Sequence, residues 1–118
     1  MSVQGLAHVG DAVFELMVRT WLCITGTSTA KKLHDRAVTY VSAKSQSAAA
    51  KKIISGFDDE ELMIYKRGRN THVSSIPKGS THEEYHAATG IETVFGYLYI
   101  SGRTERLNEL FGLIVEEK

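Results

Sequence analysis

Two acidic residues in this 118-residue chain occupy positions suited to chemistry. In Leu6-Ala7-His8-Val9-Gly10-Asp11-Ala12-Val13-Phe14-Glu15-Leu16, Asp11 follows a glycine inside a mostly apolar helical pattern. In Thr89-Gly90-Ile91-Glu92-Thr93-Val94-Phe95-Gly96-Tyr97-Leu98-Tyr99, Glu92 sits in a second apolar helix with a glycine on either side. A buried carboxylate is costly unless something positive meets it. Two such side chains meeting from different helices could bind Mg²⁺, a hard cation that accepts one or two carboxylates and keeps several waters; Mn²⁺ would substitute. The cation would activate water and stabilise charge on a phosphoryl oxygen. Gly10 and Gly96 suit this scheme, because each removes a side chain near a carboxylate and lets backbone or substrate approach. The competing reading is two separate buried acids satisfied by Arg19, Arg67 or backbone.

A cationic run, Lys66-Arg67-Gly68-Arg69-Asn70, ends a helical pattern and leads into a polar stretch over 71–80 that holds Ser74, Ser75, Pro77 and Lys78. Cations at a helix C-terminus favour its dipole, which is a structural explanation in itself. The same residue types suit RNA. Arginine holds phosphate bidentately, and small polar side chains reach ribose 2′-hydroxyls. Lys66, Arg67, Arg69, Asn70, Thr71, Ser74 and Lys78 form the candidate RNA-binding set. The net charge is zero, yet residues 31–78 carry ten basic and five acidic side chains, and the two ends hold the balancing negative charge.

Other signals are weaker. His82-Glu83-Glu84-Tyr85-His86 satisfies the H-E-x-x-H zinc pattern, but it falls at a helix start and no third ligand stands out. The single cysteine, Cys23, excludes an intrachain disulfide and a cysteine-rich zinc site. Its place in a helical pattern predicts a small buried hydrophobe. Glu60-Glu61 and Glu83-Glu84 are expected at exposed helix starts. Turned inward, they would point instead to an all-helical, Mg²⁺-dependent nucleotide pyrophosphatase.

These residues are carried by an all-α chain whose length suits one domain over 1–118. A single proline and little strand-like alternation favour helices. The first helix is expected over 6–24, with its main stripe at Leu6, Val9, Val13, Leu16 or Met17, and Thr20. A second row, Phe14, Val18 and Leu22, makes it apolar on most faces, as for a central helix or a subunit interface. Glu15 and Arg19 form an i,i+4 pair. Helices over 30–40, capped by Ser28 or Thr29, and 43–54, capped by Ser42 and ended by Gly56, follow. Asp58 with Glu61 and Thr81 with Glu84 read as capping boxes. Their helices run to Arg69 or Asn70 and to about Ser101. The second presents Ala87, Ala88, Ile91, Val94, Phe95 and Leu98. A terminal helix over 104–115 closes through Leu107, Leu110, Phe111 and Ile114. No apolar run approaches about 18 residues, so no membrane span is expected. No signal-peptide pattern opens the chain, so the protein reads as cytoplasmic.

The segment Leu6-Ala7-His8-Val9-Gly10-Asp11-Ala12-Val13 resembles the signature segment of ribonuclease III catalytic domains, and Ile91-Glu92-Thr93-Val94-Phe95-Gly96-Tyr97-Leu98-Tyr99 resembles their second acidic helix. Lys32-Leu33-His34, Tyr40-Val41-Ser42-Ala43-Lys44, the Lys66–Asn70 run and the absence of a double-stranded-RNA-binding domain look more like the Mini-ribonuclease III branch. The resemblance covers nearly the whole chain. Full-size members carry further acids where this chain has Gln4, Ala7 and Thr89; only Asp11 and Glu92 of the usual set remain, as in the Mini branch. The resemblance implies a homodimeric, all-helical, Mg²⁺-dependent endonuclease for double-stranded RNA. Asp11 and Glu92 would be its catalytic and metal-holding residues, and its products would be a 5′-phosphate and a 3′-hydroxyl. The substrate it implies is structured precursor RNA, foremost the ends of large-subunit (23S) ribosomal RNA precursor. The alternative on the same fold is a catalytically silent RNA-binding or ribosome-assembly dimer, against which the retention of both acids argues.

Overall fold

Where the chain can cap its backbone decides where its helices begin. In the computed structural model, which describes residues 1–26, 29–71, 75–76 and 78–115, the helices are α1 (Val3–Ile24), α2 (Ala30–Val41), α3 (Ala43–Ile53), α4 (Asp59–Arg69), α5 (His82–Ile100) and α6 (Thr104–Val115). A short 3-10 turn, Ile54–Gly56, follows α3, and no strand occurs among the described residues. The Ser2 hydroxyl accepts the Gly5 N–H at 2.9 Å, so α1 starts three residues before the expected position 6. Thr29 caps α2 and Ser42 caps α3; Ser28 lies outside the described residues. Both expected capping boxes form, at Asp58/Glu61 and Thr81/Glu84. The chain leaves α5 through Gly102 at φ +73°, a conformation glycine adopts without steric cost.

The α5 helix is the axis of the bundle. Ala87, Ala88, Gly90, Ile91, Val94, Phe95 and Leu98 are all buried, and α1, α3, α4 and α6 pack around it. A helix buried on all sides belongs at the centre of its domain. The α1 helix crosses α5 with the two backbones in direct contact. A Cβ on Gly10 would stand 1.6 Å from the Glu92 carbonyl oxygen, and one on Gly96 would stand 1.9 Å from the Leu6 carbonyl oxygen. No side chain can occupy either place.

That crossing corrects the expected face of α1. The buried residues are Gly10, Val13, Phe14, Val18 and Leu22. Of the expected Leu16 or Met17, Met17 packs against the core while Leu16 is 64% exposed; Thr20 is exposed, and the second row, Phe14, Val18 and Leu22, is the buried one. The helix must present Gly10 to α5, and residues one turn apart on that side follow it inward. Leu22 takes the core position, so its neighbour Cys23 is exposed rather than buried. Phe14 meets Phe95 edge-on at 5.4 Å and Phe111 at 6.1 Å, joining α1, α5 and α6 in one core. The expected apolar faces of α5 and α6 are buried as read. No described helix is long and apolar enough to cross a membrane.

Candidate active site

The glycine crossing forces its neighbours together. Asp11 follows Gly10, and Glu92 lies one turn before Gly96 and carries the carbonyl that Gly10 faces. The carboxyl of Glu92 is half-buried, and its pKa is pushed up to about 8. Burial is the main cause; the negative charge of Asp11 and a hydrogen bond with Asp11 add to it, and the Gln46 amide of α3 opposes them. Asp11 itself is exposed, which corrects the expectation of two buried acids: one is half-buried and one lies at the surface.

Among the described residues no ion pair answers this charge. Arg19 pairs with Glu15, as its i,i+4 spacing predicts. Arg67 is exposed, and among the described residues no ion pair joins Asp11 or Glu92 to a basic side chain. Of the partners in the competing reading, Arg19 is therefore engaged elsewhere and Arg67 makes no ion pair with either acid among the described residues. The donor set does fit a hard divalent cation. Two carboxylates arrive from two helices, and a positive charge beside them would favour ionised Glu92. No group of three or more His, Cys, Asp or Glu among the described residues could form a fuller metal cage. The H-E-x-x-H pair, His82 and His86, has rings 6.4 Å apart and gains no third ligand among the described residues.

The other acid pairs serve structure. Glu60 accepts from the Tyr97 hydroxyl at 2.6 Å and pairs with Arg103 at 3.4 Å; Glu84 closes a capping box, and Glu83 is exposed. Glu61 departs from the expected exposed helix start. It is fully buried, held by Arg106 of α6 and by the Asp58 backbone. Its partner lies 45 residues away, so no local pattern reveals it. These acids do not converge as a nucleotide pyrophosphatase would require.

The cationic run sits at the end of α4. Gly68 packs against Thr93 and Gly90, so this end lies beside the turn of α5 that carries Glu92. Lys66, Arg67 and Asn70 line one shallow cleft with Leu62 and Met63. Arg69 lies over the Tyr65 ring at 5.8 Å, and the Thr71 hydroxyl donates to the Arg67 carbonyl. Lys78 is exposed, and Ser74 lies outside the described residues.

One residue of the site escaped the sequence reading. Gln46 is 2% exposed, and its side chain acts on the Glu92 carboxyl. A signal was present: Gln46 precedes Ala49, Ala50 and Ile53 on one helical face, a lone polar residue in an otherwise apolar row.

Comparison with known proteins yields one consistent set of matches. The ribonuclease III domain family matches residues 4–103. A Mini-ribonuclease 3 of Clostridium tetani is 39% identical over 116 residues, spanning 98% of this chain and 77% of the relative. A Mini-ribonuclease 3 of a Thermoanaerobacter species is 40% identical, spanning 98% of this chain and 82% of the relative. An X-ray crystal structure of a Fusobacterium nucleatum protein superposes with a TM-score of 0.90 at 31% identity, covering 98% of this chain and 94% of that one.

Proposed function

The chain belongs to the ribonuclease III family, in its Mini-ribonuclease 3 branch, and is an endoribonuclease; from that premise we propose that it hydrolyses double-stranded RNA with Mg²⁺, using Asp11 and Glu92 as its catalytic and metal-holding pair. The observation that carries this reading is the confrontation of two carboxylates at the glycine crossing with no ion pair from a basic side chain among the described residues. Asp11 and Glu92 would hold a divalent cation, Mg²⁺ or Mn²⁺, which would make water a nucleophile at neutral pH and neutralise charge on the phosphoryl oxygens. Asp11, exposed on α1, meets the substrate side, while Glu92 anchors from within. Water adds across the P–O3′ bond, leaving a 5′-phosphate on one fragment and a 3′-hydroxyl on the other.

Lys66, Arg67, Arg69, Asn70, Thr71, Ser74 and Lys78 supply the grip on RNA. Their cations and small polar groups suit the phosphates and 2′-hydroxyls of a shallow A-form minor groove. The position of the α4 end beside the Glu92 turn supports this assignment. The functional unit is a homodimer, each subunit cutting one strand. Leu16 and Ile24 support an interface that includes α1, since they leave apolar side chains 64% and 77% exposed on it. A dimer is expected by sedimentation at micromolar concentration; a fully active monomer would contradict it. We assign the protein to the cytoplasm, where structured precursor RNA, foremost the ends of 23S ribosomal RNA precursor, is its substrate class.

The test is incubation with a long RNA duplex, with and without Mg²⁺, beside a nucleoside triphosphate control. Mg²⁺-dependent cleavage of the duplex with 5′-phosphate products is expected. Binding without cleavage would make the protein a silent RNA-binding dimer, and hydrolysis of the triphosphate alone would overturn the reading.

A further inference from the structure

Two side-chain atoms among the described buried polar groups lack a hydrogen-bond partner: Nδ1 of His86 and Nε2 of Gln46. A buried donor left unpaired costs about 1–3 kcal/mol, so such an atom calls for an explanation. Gln46 lies on the buried face of α3 with Ala49, Ala50 and Ile53. A leucine or methionine would fill that apolar row without the cost. The amide instead addresses Glu92, close enough to oppose the influence of Asp11 yet outside hydrogen-bond geometry. Asp11 from α1 and Gln46 from α3 thus converge on one carboxyl.

We propose that Gln46 is a positioning residue: its Nε2, unpaired in this structure, donates to one carboxylate oxygen of Glu92 once a cation is bound and thereby turns the other oxygen toward the cation shared with Asp11. The inference rests on the metal-holding role given to Asp11 and Glu92 under Proposed function. The residue type fits the task. An arginine or lysine here would neutralise Glu92 and compete with the divalent ion. A third carboxylate would add repulsion. A neutral amide gives an N–H and no charge, so it fixes orientation and leaves the negative potential for the cation. The other described group acting on this half-buried carboxyl is Asp11, itself a metal-holding acid, which leaves Gln46 as the neutral group available to hold its plane.

The experiment measures Mn²⁺ binding to the full chain by the loss of the free-ion paramagnetic resonance signal, together with melting temperature and duplex cleavage. Gln46→Leu and Gln46→Met are compared with the wild type and with Asp11→Asn. Outer partners of metal ligands typically contribute about 10–100-fold, so Mn²⁺ affinity of both apolar variants is expected to weaken by about that factor. Their melting temperature should stay level or rise, because an unpaired buried amide has been removed. Their KM for duplex should hold while kcat falls at low Mn²⁺ and recovers in part at high Mn²⁺. Either folded variant binding Mn²⁺ as the wild type does, while Asp11→Asn does not, overturns the role of Gln46 alone. Wild-type Mn²⁺ affinity in Asp11→Asn overturns the metal assignment beneath it. A lower melting temperature with unchanged Mn²⁺ affinity makes Gln46 a packing residue and also overturns the inference.

Discussion

At the Glu61 corner the buried carboxylate is met by an arginine; at the Glu92 corner the charge that acts on the carboxyl is another carboxylate. Arg106 approaches Glu61 side-on, donating from Nε and a terminal nitrogen at 2.7 Å each, and the Asp58 N–H adds a third bond at 3.0 Å. These bonds, those from Arg106 first, hold the Glu61 pKa below the ordinary carboxylate value against the effect of burial. Glu92 is only half-buried, yet burial is the first cause of its shift, and its pKa moves the other way. The completed pair links α4 to α6 and leaves nothing for an added ion to do. The incomplete one is held in place by a glycine crossing, and that unanswered charge is what marks it as the candidate functional site.

Mutations should separate the two corners. The largest effect is expected from Asp11→Asn, which keeps the shape of the side chain and removes the charge. Cleavage of duplex RNA should fall by more than the ~100-fold typical of outer metal partners. Thermal melting at pH 8 should hold or rise, because like-charge repulsion has gone. Turnover like the wild type's would take Asp11 out of the mechanism. At the other corner, Arg106→Ala strands Glu61 in the interior. Breaking a buried pair costs about 3–5 kcal/mol, and the quarter-exposed Arg106 side chain points to the lower end. Denaturant unfolding should show that loss while duplex cleavage in the cold survives. A loss below about 1 kcal/mol would place this pair with weak surface bridges.

The corners should also respond oppositely to pH. The folded-state pKa of Glu92, about 8, lies above its ordinary 4.5. The native protein then keeps a proton that the unfolded chain releases between those values, so this contribution to stability falls as pH rises from about 4.5 to about 8. Glu61, with its pKa lowered, contributes stability that is present above its ordinary value and lost as pH falls through the folded value. Melting of metal-free protein should therefore decline by several degrees between pH 5 and pH 8, and Glu92→Gln should flatten the decline. Mg²⁺ should stabilise more at pH 8 than at pH 5, since binding displaces the Glu92 proton. A pH-independent Mg²⁺ effect would contradict the coupling. The smallest expected effect lies outside both corners. Arg69→Ala should lower the slope of log affinity against log salt for duplex binding by about 1. An unchanged slope would remove Arg69 from the RNA contacts.

The sequence carried the fold where pattern and cap agree. Thr81 with Glu84 starts α5 where expected, and its apolar face is the buried one. The α1 face was misread because leucine, valine and phenylalanine line several sides of that helix. What selects the buried side is Gly10, whose missing side chain is a property of the crossing rather than of α1 alone. Asp11 and Glu92 were legible through those same glycines. Gln46 and Arg106 were not, because each acquires its meaning from a partner on a distant helix. Exposed Cys23 shows the limit of residue type as a guide to burial.

Duplex cleavage by Glu92→Gln and Glu61→Gln, assayed side by side with Mg²⁺ below the melting point of both, bears most directly on the contrast between the two corners. Both substitutions remove one carboxylate from the same bundle and keep its volume. Glu92→Gln is expected to be folded and inactive, and Glu61→Gln less stable but active. Equal activity in the two variants, or activity in Glu92→Gln with loss in folded Glu61→Gln, would contradict the assignment of the site to Asp11 and Glu92.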